Sequence, residues 1–208
     1  MSRYTEAVCK LCRREGTKLF LKGGRCYTPK CAVEKRAYAP GMHGQKRKKL
    51  TQYAIQLREK QKLRRTYGVS ESQFKNYFRI AEKQHGASSE NFLIILERRL
   101  DNVLFRMGFA SSRQQARQFV AHGHILVNGR KVDIPSFMVK PGQVIELKEK
   151  TQSNPMVRTS LEVSTQGKQY NWLKVEPEKF RGEIVGMPTR QDVDAPVNEQ
   201  LVVEFYSK

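Results

Sequence analysis

The sequence predicts an α+β fold in three parts, on three observations. All four cysteines fall within the first 31 of 208 residues, as C-x2-C at Cys9 and Cys12 and C-x4-C at Cys26 and Cys31. Apolar residues then recur at helical spacing between residues 51 and 107. Beyond residue 113 a short helical stripe gives way to alternating apolar residues around Asn128-Gly129, a strong two-residue hairpin signal.

The arm comes first. Thirteen residues separate the two cysteine pairs, a spacing over which two knuckles close on one tetrahedral ion. Gly16, Gly23, Gly24 and Pro29 supply the turns, and Lys10, Arg13, Arg14 and Lys30 offset the negative charge that four thiolates leave around a divalent ion. Zinc is the expected ion. An iron–sulfur cluster on the same thiolates is the second reading, because the ligand set does not separate the two. Four thiolates close the shell to water, so the ion is structural and folds an arm too small to fold alone. Two disulfides, or four free thiols, are the competing readings. The opening "MSRYTEAVCK" carries no apolar signal run, so a reducing cytoplasmic setting is expected.

A linker follows at Pro40, Gly41 and Gly44, and then a helix from Thr51, its N-cap, to Tyr67, with Gly68 as its stop. Tyr53, Leu57 and Leu63 form a thin apolar face. From Lys46 to Arg65 there are nine basic residues against one acid, Glu59, so few i,i+4 pairs quench the repulsion and phosphate contact is expected. Ser70, with Gln73 three residues on, opens a second helix whose Phe74, Tyr77, Phe78 and Ala81 form a core stripe. Ser88 or Ser89 opens a third, which carries Leu93, Leu96, Leu100, Val103, Leu104 and Met107 on one face and Arg98, Arg99 and Arg106 on the other, and ends at Gly108.

Ser111 or Ser112 caps a short helix from Arg113 to His122, stopped by Gly123. Ala116, Phe119 and Val120 face inward. Arg113, Gln114, Arg117 and Gln118 face outward, the two arginines four apart. A hairpin follows, Ile125 and Val127 alternating before Asn128-Gly129, with Arg130 and Lys131 just past the tip. "SFMVKPGQVIELKEK" supplies more strand around Pro141-Gly142. The C-terminal quarter reads as short strands with turns at Pro188 and Pro196 and a closing strand from Leu201 to Phe205. Trp172 is expected in the core.

The formal net charge is +19, which calls for a polyanionic partner. No run of about 18 apolar residues is present to cross a bilayer, so nucleic acid is favoured over membrane. Residues 1–50 hold 14 basic residues against 3 acidic, whereas residues 151–208 hold 7 against 8. The polyanion is therefore expected on the earlier part of the chain, and a protein neighbour on the last quarter, with Asp192 and Asp194 as candidates.

The stretch "RRLDNVLFRMGFASSRQQARQFVAHGHILVNGRKV" closely resembles the RNA-binding module of the S-four family of small-subunit ribosomal proteins. The resemblance extends through "SRY", "RREG" at 13–16, "PGMHG" at 40–44, "QLREKQKLRRTYGVSESQF" at 56–74 and "NEQLVVEFYSK" at 198–208, and it is to the cysteine-containing, metal-binding form. It implies an arm over 1–45, a helical domain over 46–95 completed by 177–208, and an inserted module over 96–176 made of a short helix plus an antiparallel hairpin sheet. It also implies a structural ribosomal protein, present as a monomer in the ribosome. Such proteins bind small-subunit ribosomal RNA, nucleate assembly of its 5′ domain, and support decoding accuracy with the fifth small-subunit protein.

Expected RNA contacts are Arg3, Arg13, Arg14 and Lys22 in the arm, and Arg58, Lys62, Arg64 and Arg65 on the basic helix. Lys46, Arg47, Lys48 and Lys49 are expected near the path where messenger RNA enters. In the module the expected contacts are Arg113, Gln114, Arg117, His122, Asn128 and Lys131.

Two rivals have specific support. Arg99-Leu100-Asp101 imitates the aspartate context of a pseudouridine synthase, an enzyme class that carries the same module. The 13-residue spacer is also compatible with a zinc-dependent DNA-binding factor. Against them, His43, His85, His122 and His124 form no catalytic or metal spacing, no phosphate loop is visible, and the cations spread well beyond one recognition helix.

Overall fold

A computed structural model of the chain describes residues 4–46, 49–165, 167, 169–194 and 197–207. Arg3, Arg47 and Lys48, three of the expected RNA contacts, lie outside the described residues. The chain divides into two compact units, Met1–Phe92 with Ala195–Lys208, and Leu93–Asp194. The elements in order are α1 (Cys9–Glu15), α2 (Ala32–Lys35), α3 (Gln52–Tyr67), α4 (Glu71–Glu82), α5 (Ser88–Glu97), α6 (Leu100–Arg106) and α7 (Arg113–Ala121). Then come β1 (Ile125–Val127), β2 (Arg130–Lys131), β3 (Val144–Leu147), α8 (Glu149–Gln152), α9 (Pro155–Thr165), β4 (Leu173–Glu176), β5 (Arg181–Ile184) and α10 (Glu199–Tyr206).

In the first unit, α3 begins where the Thr51 hydroxyl accepts from the Ala54 N–H at 3.2 Å and ends at Gly68, whose φ of 62° lets its N–H turn back onto the last carbonyls. The α4 stripe is core as expected. Phe92 meets Phe74 edge-on at 4.8 Å, and Tyr206 stacks on Phe78 at 4.8 Å. The closing strand expected at 201–205 is instead the helix α10. Asn198 caps it through the Gln200 N–H, and Val202, Phe205 and Tyr206 recur at helical spacing along α3. The β-branched and aromatic residues of "LVVEFY" imitate a strand, and packing on α3 overrides that propensity. Gln56 donates to Glu204 at 2.7 Å, and the Asn198 N–H donates to Glu59 at 3.1 Å, tying the two helices together.

The second unit is built on an antiparallel sheet of order β2-β1-β3-β5-β4. Asn128 and Gly129 both have positive φ, 49° and 75°, which gives the hairpin a turn matched to strand twist. Ile145 of β3 sits opposite Val127 on one side and Gly182 of β5 on the other. Gly182 is needed there because a Cβ would lie 2.6 Å from the sulfur of buried Met107. The core gathers Leu100, Val103, Leu104 and Met107 with Ala116, Val120, Ile125, Ile145, Ile184 and, as expected, Trp172.

Three expectations need correction here. First, β5 lies inside the module's sheet, so the return to the helical part falls at 195, not 177. Second, the single helix expected from Ser88 to Met107 is two, α5 and α6, broken at Arg99, whose extended backbone bridges Met138. The break leaves backbone groups that residues 135–139 satisfy: Leu100 donates to Phe137, Asp101 to Pro135, and Val139 to Arg98. Third, Arg99 and Arg106 are not on an outer face but buried, at 0% and 7% exposure. The sequence reading also passed over α9, whose Val157 and Leu161 complete this core.

Candidate nucleic-acid interface

The arm's core is small: Val8, Cys12, Leu19 and Leu21, with Leu11 and Val33 against it. All four cysteines are free and line one pocket with Lys22, Arg25, Ala32 and Val33. Backbone N–H groups point at two of the sulfurs, that of Lys22 donating to Cys26 at 3.4 Å and that of Leu19 reaching Cys12. Burial pushes the Cys12 and Cys26 thiols up, and the neighbouring cysteines add to the effect. Among the described residues, no three His, Cys, Asp or Glu side chains stand as placed in an arrangement that would hold a metal ion. The donor chemistry therefore suits a soft ion, while the coordination sphere is not pre-assembled.

The basic helix α3 is less open than its composition suggests, because carboxylates arrive from other elements. Buried Glu15 of α1 pairs with Arg65 and, at 3.3 Å, with Arg58. Burial nevertheless pushes the Glu15 carboxyl up and the Arg65 guanidinium down. Lys62 pairs with Glu59, and Arg64 with Glu71 at 3.4 Å. Lys60 is buried, 2.6 Å from Glu71 and with its ammonium 4.6 Å from the centre of the Phe205 ring. Arg58, Lys62, Arg64 and Arg65 are thus half-buried and internally paired. Arg14, Lys22, Lys46 and Lys49 are exposed and, among the described residues, have no carboxylate in ion-pair range. Arg13 donates to the Tyr38 carbonyl at 3.0 Å and stacks on that ring at 5.0 Å.

Glu71 gives this unit a pH dependence. Burial opposes its charge, but hydrogen bonds from Lys60 and Tyr206 hold it below the usual carboxylate range. Its stabilisation is therefore present above the unfolded value of 4.5 and lost as pH falls through the lower folded value. Glu71→Gln is expected to flatten the acid limb of stability, measured by urea unfolding between about pH 5 and pH 2.

In the module, Ser112 caps α7 through the Gln115 N–H, and Ala116 and Val120 bury one face. The other face is oriented from α6. The Arg113 Nε donates to Asn102 Oδ1 at 2.8 Å while its guanidinium lies 4.5 Å from the centre of the Phe105 ring. Arg117 lies 3.6 Å from Asp101, which is also held by Arg99 through two bonds, of 3.0 and 2.5 Å. Behind them Arg106 clasps Glu97 at 2.6 and 3.0 Å, Asp194 at 2.7 Å, and Tyr170. Burial is the main cause raising the Tyr170 phenol.

This buried network is what the sequence reading missed. Alternating charges in "ERRLDN" read as solvated helix surface, and only the helix break turns them inward. Gln114, His122 and Lys131 are exposed, Lys131 loosely paired with Asp133 at 3.9 Å. Asn128 is exposed too, but its side-chain oxygen accepts from the Val144 N–H at 2.8 Å, so it ties the hairpin turn to β3. Asp194 belongs to the buried network, and Asp192 caps its own turn through Thr189. Both acids are therefore engaged internally.

Residues 3–97 match the family described as Ribosomal protein S4/S9 N-terminal domain, and residues 98–145 match the S4 domain. Small ribosomal subunit protein uS4A of Alkaliphilus oremlandii is 58% identical over 208 residues, covering all of both chains. The uS4 proteins of Solidesulfovibrio magneticus and Pelotomaculum thermopropionicum are 56% and 54% identical over the same full length.

Proposed function

The chain belongs to the family of small ribosomal subunit protein uS4, and on that premise we propose that it is a structural constituent of the small ribosomal subunit. It binds the subunit's ribosomal RNA directly, lies among other ribosomal proteins in the cytoplasm, and catalyses no reaction. The observation that carries this reading is the pair Arg113 and Arg117, four apart on α7 and oriented by Asn102 and Asp101, a placement that suits phosphate contact. Asp101, whose context imitates a catalytic aspartate, is 2% exposed and bound by two arginines, which leaves no access for a base.

The finer reading rests on resemblance and charge. The protein binds early at a junction of helices in the 5′ domain, and with the fifth small-subunit protein it supports accurate decoding. Lys46 and Lys49, exposed and unpaired by carboxylates among the described residues, suit the path of messenger RNA. Cys9, Cys12, Cys26 and Cys31 would hold one zinc ion, which would supply structure to the arm and no chemistry. An iron–sulfur cluster is the alternative for the same thiols.

The test is binding of the full chain to a transcript of small-subunit ribosomal RNA over a salt series. Affinity should fall linearly in log–log form, by about 0.7–0.9 per phosphate neutralised. Arg113→Ala with Arg117→Ala should weaken binding and flatten that slope by about 1–2. Equal affinity for duplex DNA would favour the DNA-binding reading, and turnover of uridine in the transcript would favour the enzyme.

A further inference from the structure

Phe20 and Tyr27 are aromatic, yet neither belongs to the arm's core, which is Val8, Cys12, Leu19 and Leu21. They stack on each other at 5.0 Å with their planes 29° apart. Tyr27 is 74% exposed and Phe20 36%, so Phe20 covers part of Tyr27 and leaves the rest of its ring in solvent. The backbone at Phe20 has φ 50°, a left-handed conformation that Gly or Asn adopts far more readily than an aromatic residue. Folding alone would thus be served better by a small residue at this site. The ring stands at a strained position outside the arm's core, in ring contact with Tyr27.

The surroundings are cationic. Lys22 and Arg25 are exposed and flank the pair, Arg25 on the same 3-10 turn, Gly23–Tyr27, that carries Tyr27. Lys30 is exposed three residues beyond it. An exposed π-face with exposed cations on the same and adjoining turns is the arrangement that takes an unpaired base out of single-stranded RNA. An apolar protein partner would be poorly served by these neighbouring charges, since interface cores are depleted of them.

We propose that Phe20 and Tyr27 form a stacking platform for one unpaired nucleobase of the bound RNA, with Lys22 and Arg25 on the adjoining phosphates. This deepens the RNA-binding reading above and rests on it. Phe20 props and orients Tyr27, and the open face of Tyr27 receives the base.

The experiment uses the full chain and the small-subunit ribosomal RNA transcript at fixed salt. Tyr27→Ala and Tyr27→Leu should each weaken binding about 5- to 100-fold, the range expected for one base–aromatic contact. Tyr27→Trp should retain the affinity, because it keeps a π-face. Chemical probing should show one unpaired base protected by the wild-type chain and reactive with either weakened variant. Phe20→Asn separates platform from packing: affinity should fall while the thermal midpoint holds or rises as strain is relieved. If wild-type chain binds the transcript and Tyr27→Leu binds equally well, or if Phe20→Asn lowers the midpoint and spares affinity, the platform is overturned. If the wild-type chain itself fails to bind, the RNA-binding reading fails instead.

Discussion

Arg106→Met is expected to destabilise the second unit by about 3–5 kcal/mol, the range for removing one partner of a buried ion pair. The Glu97 side chain is 1% exposed and faces the guanidinium with both carboxylate oxygens, at 2.6 and 3.0 Å. Without Arg106 its charge stays in a site that water does not reach. Urea unfolding followed by the fluorescence of Trp172, the only tryptophan and itself 3% exposed in this core, reads the loss directly. Replacing Glu97 with leucine in the same chain should recover most of it, because an apolar pair of similar volume often matches a buried salt bridge. The groups left behind tolerate that exchange. Asp194 is 41% exposed on its side chain and can hydrate, while the Asn102 amide keeps its bond to the Glu97 backbone carbonyl at 2.9 Å. An Arg106→Met chain with the wild-type midpoint would mean that the network is ornamental.

The same network reaches Arg113, proposed above as an RNA contact, through Asn102. Asn102 donates to the Glu97 carboxylate at 2.6 Å and accepts from Arg113 at 2.8 Å. Loss of Arg106 therefore loosens Asn102, and with it the aim of Arg113. Stability and RNA affinity should fall together in Arg106→Met. A role confined to packing would move only the first.

How much of this was legible from the chain depends on where each signal lives. Helix α3 is written locally, with Thr51 at one end and Gly68 at the other, and so is the Asn128-Gly129 hairpin. Helix α10 is not, because "LVVEFY" has strand propensity and only packing along α3 decides it. The split between α5 and α6 depends on carbonyls and N–H groups from 135–139, about 40 residues downstream, which no local window contains. The same distance problem governs the cations. Nine basic residues between Lys46 and Arg65 are visible as charge, but the carboxylates that answer several of them sit on α1 and α4. Composition shows where the cations are dense, and tertiary pairing decides which of the described ones carry a carboxylate partner.

Zinc added to the reduced, metal-free chain is expected to bind at one equivalent and to make the first 45 or so residues resistant to protease, and this is the largest effect anticipated here. A segment of this size cannot bury enough apolar surface to order itself, since chains below about 40 residues usually need a metal or disulfides. Its core has four buried members, of which Cys12 is one. Among the described residues, Glu15 ties the arm to Arg58 and Arg65 of α3, and burial works against the Glu15 and Arg65 charges. Structural zinc in small thiolate sites contributes about 10–16 kcal/mol of apparent binding energy near neutral pH, far more than either source. Binding must also displace thiol protons, so affinity should rise with pH, and the burial that pushes Cys12 and Cys26 up extends that rise to higher pH. Cys12→Ser should abolish the protection at equimolar zinc while leaving the Trp172 unfolding transition of the second unit in place. A brown chromophore from iron and sulfide in place of colourless zinc binding would assign the site to a cluster. Protease resistance unchanged by chelator, with all four thiols reacting as freely before as after, would mean that the arm folds without any ion.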